Sequence, residues 1–245
     1  MLKDSQLDLC GRVDFARTTP LLARDEAFSF ACAGCGGCCR GREDIVLSGF
    51  DLWRIAARLR LPPRTVARAF CRGSIGRVSR LPVLRLAPLK EERGNCPFLT
   101  GNHCAIHDAE PLVCALYPLA QEISGEGAVS YFLQPTSCGG PMFSAKVEDY
   151  LARYDVPARE AVDVCWAQTC MTLEDTVEEL NTILSPVLAR RLEAKLWQAL
   201  YYDYEFAQPF LPQLERNLRW LEGECAKLRG YQEQLNTKCI EKNDR

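Results

Sequence analysis

The chain has 245 residues, of which 47% are hydrophobic and 25% charged, with a net charge of −2 and a pI near 5.9. That length supports one or two domains with a substantial core, and the composition excludes a collagen, a wholly disordered chain and an integral membrane protein, since no apolar run approaches the roughly 20 residues of a span. The near-balanced charge argues against a whole-chain binder of nucleic acid or membrane surfaces, and the opening Met-Leu-Lys-Asp-Ser-Gln lacks the basic-then-apolar pattern of a secretory signal, so a cytoplasmic location is expected.

Residues 1–27 are mixed and polar and read as a loosely packed lead-in. Phe28-Ser29-Phe30 alternates and predicts a short strand, and Ile45-Val46-Leu47 predicts a second. Ser48 followed three residues later by Asp51 reads as a capped helix start, with helix through about Arg60. Pro62-Pro63 ends that helix and starts another to about Arg72. Val83, Leu84 and Leu86 suggest a strand, and Leu119–Ser124 with Ala128–Gln134 read as a hairpin around Gly125-Glu126-Gly127. Asp108 is expected to cap a short helix carrying Cys114, stopped by Tyr117-Pro118. From Ser144 onward the pattern turns helical, over 144–155, 157–170, 172–184, 186–206 and 212–240, with boundaries near Pro157, Pro186, Pro209 and Pro212. In the last helix Leu214, Leu218, Leu221, Cys225, Leu228, Leu235 and Cys239 form a heptad-like seam with one miss at Gln232. The expected fold is α+β: the lead-in, a small cysteine-rich domain over residues 28–140 with short strands and helices, and a mostly helical domain over 141–245.

The cysteines are out of proportion. There are 14 of them against 2 histidines, and in a reducing cytosol clustered thiols more often hold metal than form disulfides. Four fall in eight residues, Cys32, Cys35, Cys38 and Cys39, followed by Cys96, Cys104 and Cys114 and then Cys138. Thiolate sites need several sulfurs within about 2.3 Å of one ion, and Cys-x2-Cys steps supply them from tight turns. Gly34, Gly36 and Gly37 permit positive φ there and let amide N–H groups approach sulfur, a contact that tunes iron–sulfur potentials. Adjacent Cys38 and Cys39 would point to opposite sides of an extended segment. Eight sulfurs match two four-thiolate sites, or one four-iron cluster and a second site. A [4Fe–4S] iron–sulfur cluster is favoured by the glycine-rich loop, with zinc as the alternative. His103 and His107 flank Cys104 and read as supporting rather than ligating groups.

The run Cys32-x2-Cys35-x2-Cys38-Cys39, the Cys-Pro-Phe-Leu at 96–99 and the Cys-Ala-Ile-His…Pro-Leu-Val-Cys-Ala-Leu-Tyr-Pro at 104–118 resemble the YkgJ-type cysteine-cluster family of zinc- or iron-chelating domains. The resemblance covers about residues 28–140 and includes the Leu-Ser-Gly-Phe-Asp-Leu helix start. Two positions differ: His107 stands where the family commonly has Tyr, and Glu110-Pro111 where it commonly has Arg-Pro. Flagellin lysine N-methylases carry a related cluster, which implies, for an enzymatic version, modification of a protein or peptide. The rival expectation is a structural zinc adaptor acting through its C-terminal helices, with a protein partner or a second copy of the chain on the helical seam.

Residues 52–90 hold ten basic side chains and no acidic one. This run reads as a solvated face, or one docked on acidic helices, because its sparse aromatics argue against stacking on nucleic acid. Trp197, Tyr201 and Tyr204 read as helix core. Cys165 and Cys170 lie about 140° apart around a continuous helix, which excludes a shared ion there. The sequence shows no phosphate-binding glycine loop, dinucleotide fingerprint or Ser-His-Asp set, so catalytic residues stay unassigned.

Overall fold

A computed structural model describes residues 7–8, 12–13, 20–30, 34–89, 94–134 and 144–243, with the backbone alone at 7–8, 12–13 and 238–243. Cys10, Cys32 and Cys138 lie outside the described residues. In chain order, β1 (Leu7–Asp8) and β2 (Arg12–Val13) pair with each other, and β3 (Leu21–Leu22) and β4 (Ala27–Ser29) follow. The cysteine loop then leads to β5 (Val46–Leu47), α1 (Gly49–Leu59), α2 (Pro63–Phe70), β6 (Cys71–Ile75) and β7 (Pro82–Leu86). Next come β8 (Leu99–Thr100), β9 (His103–Cys104), α3 (Leu112–Leu116), β10 (Leu119–Ile123), β11 (Val129–Leu133) and β12 (Ser144–Lys146). The remainder is helical: α4 (Val147–Arg153), α5 (Val156–Ile183), α6 (Pro186–Trp197) and α7 (Phe210–Asn243). The architecture is therefore mixed α+β, with small sheets in the first part and helices in the last.

Local chemistry sets several of these elements. Ser48 and Asp51 form a full capping box at the start of α1, each side chain accepting from the other's backbone N–H at 3.0 Å. Gly127, at φ +84°, turns the β10–β11 hairpin. Other elements arise from pairing. Cys71 and Arg72 were expected to end a helix, but they open β6, whose residues pair antiparallel with β7 from Cys71 opposite Leu86 to Ile75 opposite Pro82. Within the lead-in, Leu21 and Leu22 join the β10–β11 hairpin as its third strand. Ser144–Lys146, expected as helix, instead pair with Ala27–Ser29, so the two ends of the cysteine-rich stretch clasp each other. The helices expected at 157–170 and 172–184 are one helix, α5, because the Thr172 hydroxyl donates back to the Gln168 carbonyl at 3.1 Å instead of capping a new start. Beyond Trp197 the chain makes a π-helical turn, Gln198–Tyr202.

The main core draws on both parts of the chain. Leu47, Leu52, Ile55, Val66 and Leu84 pack in one cluster with Leu180, Leu192, Leu200, Tyr201 and Leu214. A smaller core gathers Phe28, Phe30, Leu119, Tyr131, Val147 and Tyr150. The α7 seam buries Leu214, Leu221, Cys225 and Leu228 in the main core, while Leu235 is 47% exposed. Tyr201 and Tyr204 are buried and Trp197 packs against the same core, so these aromatics are core residues.

Gly49 marks the closest approach. A Cβ placed there would lie 2.3 Å from the Leu200 carbonyl oxygen and 2.6 Å from the Trp166 ring, so α1 meets α5 and the π-turn backbone to ring. Gly49→Ala is expected to lower stability by about 2–3 kcal/mol in urea denaturation, the usual cost of overpacking a core. Gly223, with no atom within 4 Å of its added Cβ, is the contrasting case: Gly223→Ala should stabilise α7 by up to about 1 kcal/mol.

Candidate functional site

Glycines shape the first cysteine loop. Gly34 and Gly36 hold φ of +62° and +67°, and a Cβ on Gly36 would press within 3.3 Å of the Asn102 carbonyl. Gly37–Cys39 then forms one turn of 3₁₀ helix, closed by the Cys39 N–H donating to the Gly36 carbonyl at 3.0 Å. Because this backbone is helical and not extended, Cys38 and Cys39 do not face opposite ways. Their sulfurs lie 3.9 Å apart.

Two backbone bonds and one arginine fasten this loop to the second cysteine segment. The Cys96 N–H donates to the Cys39 carbonyl at 2.8 Å, and the Gly41 N–H to the Gly94 carbonyl at 3.0 Å. The Arg40 guanidinium donates to the Cys35 carbonyl at 2.6 Å and to Asn102 Oδ1 at 2.6 Å. The β8–β9 hairpin sets Cys104 opposite Leu99. Cys114 sits in α3, whose start is not capped by Asp108 as expected. Asp108 pairs with Arg58 at 2.9 Å, and the Leu112 N–H donates instead to Asp51 of α1 at 3.0 Å.

These segments bring Cys35, Cys38, Cys39, Cys96, Cys104 and Cys114 onto the wall of one cavity of about 210 Å³, with His103, His107 and Glu110 also lining it. Cys71, Cys165, Cys170 and Cys225 do not line it, and all ten described cysteines just named are free thiols. The predicted ligands Cys32 and Cys138 lie outside the described residues. Among the described residues, no three His, Cys, Asp or Glu side chains stand close enough together to hold one metal ion. The six thiols therefore surround a space and do not meet at a point.

Amide groups lie beside several of these sulfurs. The Gly37 N–H donates to Cys35 Sγ at 3.4 Å. The neighbouring amides of Phe98 and Leu99 favour the thiolate of Cys96, and that of Ile106 favours the thiolate of Cys104. Burial opposes these donors: it pushes the Cys104 thiol up to about 11 and raises Cys96 and, furthest, Cys114. Cys38 is the exception. The hydrogen bond it shares with Cys39, its own amide and the nearby Arg42 pull it below the usual thiol range, while the same contact and burial hold Cys39 well above that range. Arg42 is fixed by two bonds to Asp44, at 2.6 and 2.9 Å, and lies over the Tyr117 ring. The Glu110 carboxyl is raised by burial, offset by His107, whose Nδ1 lies 3.0 Å from Oε1.

Sequence reasoning did not single out Arg40, Arg42 or Asp51 as parts of this site. The two arginines directly follow the cysteine run, which is the only local signal. Part of the arginine-rich segment also serves the site: Arg54 donates to the carbonyls of Asp108 at 2.9 Å and Glu110 at 3.3 Å. Arg72 pairs with Glu43 and Arg64 lies over the Tyr202 ring, whereas Arg60, Arg68, Arg77 and Arg80 are exposed.

No curated protein and no solved structure matches the chain. Residues 31–139 match the model of the CxxCxxCC family, described as "Putative zinc- or iron-chelating domain". That interval contains all six cysteines of the cavity wall together with Cys32 and Cys138. Over residues 31–139 the chain is thus similar to the CxxCxxCC cysteine-cluster family.

Proposed function

We propose that the cavity chelates iron through cysteine thiolates as an iron–sulfur cluster, with Cys32 and Cys138 completing the set formed by Cys35, Cys38, Cys39, Cys96, Cys104 and Cys114. The observation that carries this reading is the gathering of six cysteines on one cavity wall, with the Gly37 N–H donating to Cys35 Sγ at 3.4 Å. A neutral core thiol gains little from such a donor. A thiolate gains a charge-assisted hydrogen bond, which is how proteins set the potential of iron–sulfur centres. A cavity of about 210 Å³ ringed by thiols also suits a group of several atoms better than a single ion. The bound group would supply electron-transfer or Lewis-acid chemistry, and the chain's part is to hold it with thiolates, direct amides at the sulfurs and place Arg42 beside Cys38. Zinc in the same thiolates, serving a structural adaptor, is the competing outcome. Modification of a protein or peptide beside the cavity is the enzymatic form of the reading, and free thiols in this number go with a reducing, cytoplasmic setting.

Protein purified without oxygen should be brown and contain iron and acid-labile sulfide. Colourless protein containing zinc and no sulfide would replace the cluster with the zinc reading. Cys96→Ser should cut metal content well below wild type and Cys225→Ser should leave it unchanged; equal content in the two variants would remove the cavity from metal binding altogether. Stripping the metal with a chelator should raise protease cleavage in residues 34–44 and 94–104 and leave α5–α7 intact, because thiolate sites order their loops only when loaded.

A further inference from the structure

The wall of the cavity that carries Cys114 is held from behind by groups far away in the sequence. The Leu112 N–H, at the start of α3, donates to Asp51 Oδ1 at 3.0 Å. That same oxygen accepts from Arg159 Nη2 at 2.7 Å, from helix α5. Arg159 also holds Asp163, one turn further along α5, through two bonds of 2.7 and 2.8 Å, and its guanidinium lies over the Phe50 ring. All three charged side chains are at least 95% buried. Arg159 lies outside the segment that matches the cysteine-cluster family.

We propose that Arg159 is a positioning residue for the thiol cavity: acting through Asp51, it fixes the start of α3 and with it the place of Cys114. The physical case has two parts. Buried ion pairs add little stability over well-packed apolar side chains of the same volume, so stability alone gives a weak account of a guanidinium enclosed in this core with one nitrogen, Nη1, lacking a partner among the described residues. The shared oxygen, by contrast, gives the pair a geometric task. Asp51 can meet the Leu112 amide only in the orientation that Arg159 and the Ser48 cap together impose. Arg54 and Arg58, on the same helix as Asp51, grip Asp108 and the Glu110 carbonyl. The segment 108–112 thus follows α1, and the carboxylate of α1 is oriented by α5.

The consequence for metal affinity rests on reading the cavity as a metal site; the consequence for Cys114 does not. The full chain, stripped of metal, would be treated with N-ethylmaleimide and the modification of each cysteine followed by mass spectrometry. In Arg159→Met, Cys114 should react about tenfold faster or more, as expected when one segment opens locally. Cys225, buried in α7, should change by less than about twofold under the same local-opening argument. Arg159→Lys keeps a cation but loses the planar fork by which Nε and Nη2 hold the two carboxylates, so it should show the same selective rise, smaller, and it carries the test if Arg159→Met fails to fold. Titration with zinc(II) should show a parallel loss of affinity in the variant whose Cys114 is exposed. A common rise at Cys114 and Cys225 would make Arg159 a general support of the fold, and no rise at Cys114 would detach it from the cavity; either overturns the inference. Wild-type protein that takes up neither zinc nor iron would overturn the proposed function, while the alkylation result would still decide the role of Arg159.

Discussion

The carboxylate of Asp51 accepts four hydrogen bonds: from the Ser48 N–H and hydroxyl, from the Leu112 N–H and from Arg159. It is 2% exposed. An ionised carboxylate in that position without partners would cost several kcal/mol, so α1, α3 and α5 must meet where these donors converge. Asp163 shows the strain of the arrangement. Two carboxylates share one guanidinium, and burial pushes Asp163 up to about 6 against the pull of Arg159. The fold is organised around satisfying one buried charge, and the cavity lies beside that junction.

Metal-free thiols in this cavity are held mostly as neutral groups. Burial raises Cys96, Cys104 and Cys114, and the contact with Cys38 together with burial raises Cys39. A metal bound there would have to displace those protons, which would tie its binding to pH, and the Gly37 N–H already aimed at Cys35 Sγ would favour the thiolate. Of the two adjacent thiols, Cys38 is the one whose ionisation is eased, by Cys39, its own amide and Arg42. The loop geometry that creates this contrast comes from the 3₁₀ turn at Gly37–Cys39 and the left-handed Gly36 before it.

Features decided within a few residues were legible in the sequence. The Ser48–Asp51 cap, the hairpin at 119–133 and the strand at Val46–Leu47 follow from local patterns. The cysteine spacing pointed to thiols that do share a cavity, as far as the described residues go. What could not be read were facts made by distant partners. Strand β6 exists because β7 pairs with it, and Asp51 reads as a simple cap until a guanidinium 108 residues away reaches it. The facing of Cys38 and Cys39 depended on a backbone turn that adjacency alone does not reveal. The arginine run is a similar case: like charges that look unsupported in sequence find carbonyls, a ring and carboxylates in space.

Small cysteine-rich modules commonly rely on their metal as a substitute core. In this chain the back of the cavity does not need that substitute. α1 and strands β5 and β7 bury Leu47, Leu52, Ile55 and Leu84 against side chains of α5–α7, and the Asp51–Arg159 junction ties α3 to the same body. The front is different. Cys35, Cys38 and Cys39 stand on a loop of glycines joined to the β8–β9 segment by a few backbone bonds and by Arg40. A rigid rear wall carrying Cys114 and a lightly held front carrying the cysteine run divide the work. In the proposed metal site the rear would set the place of Cys114, and binding would need to order only the short front stretch of chain.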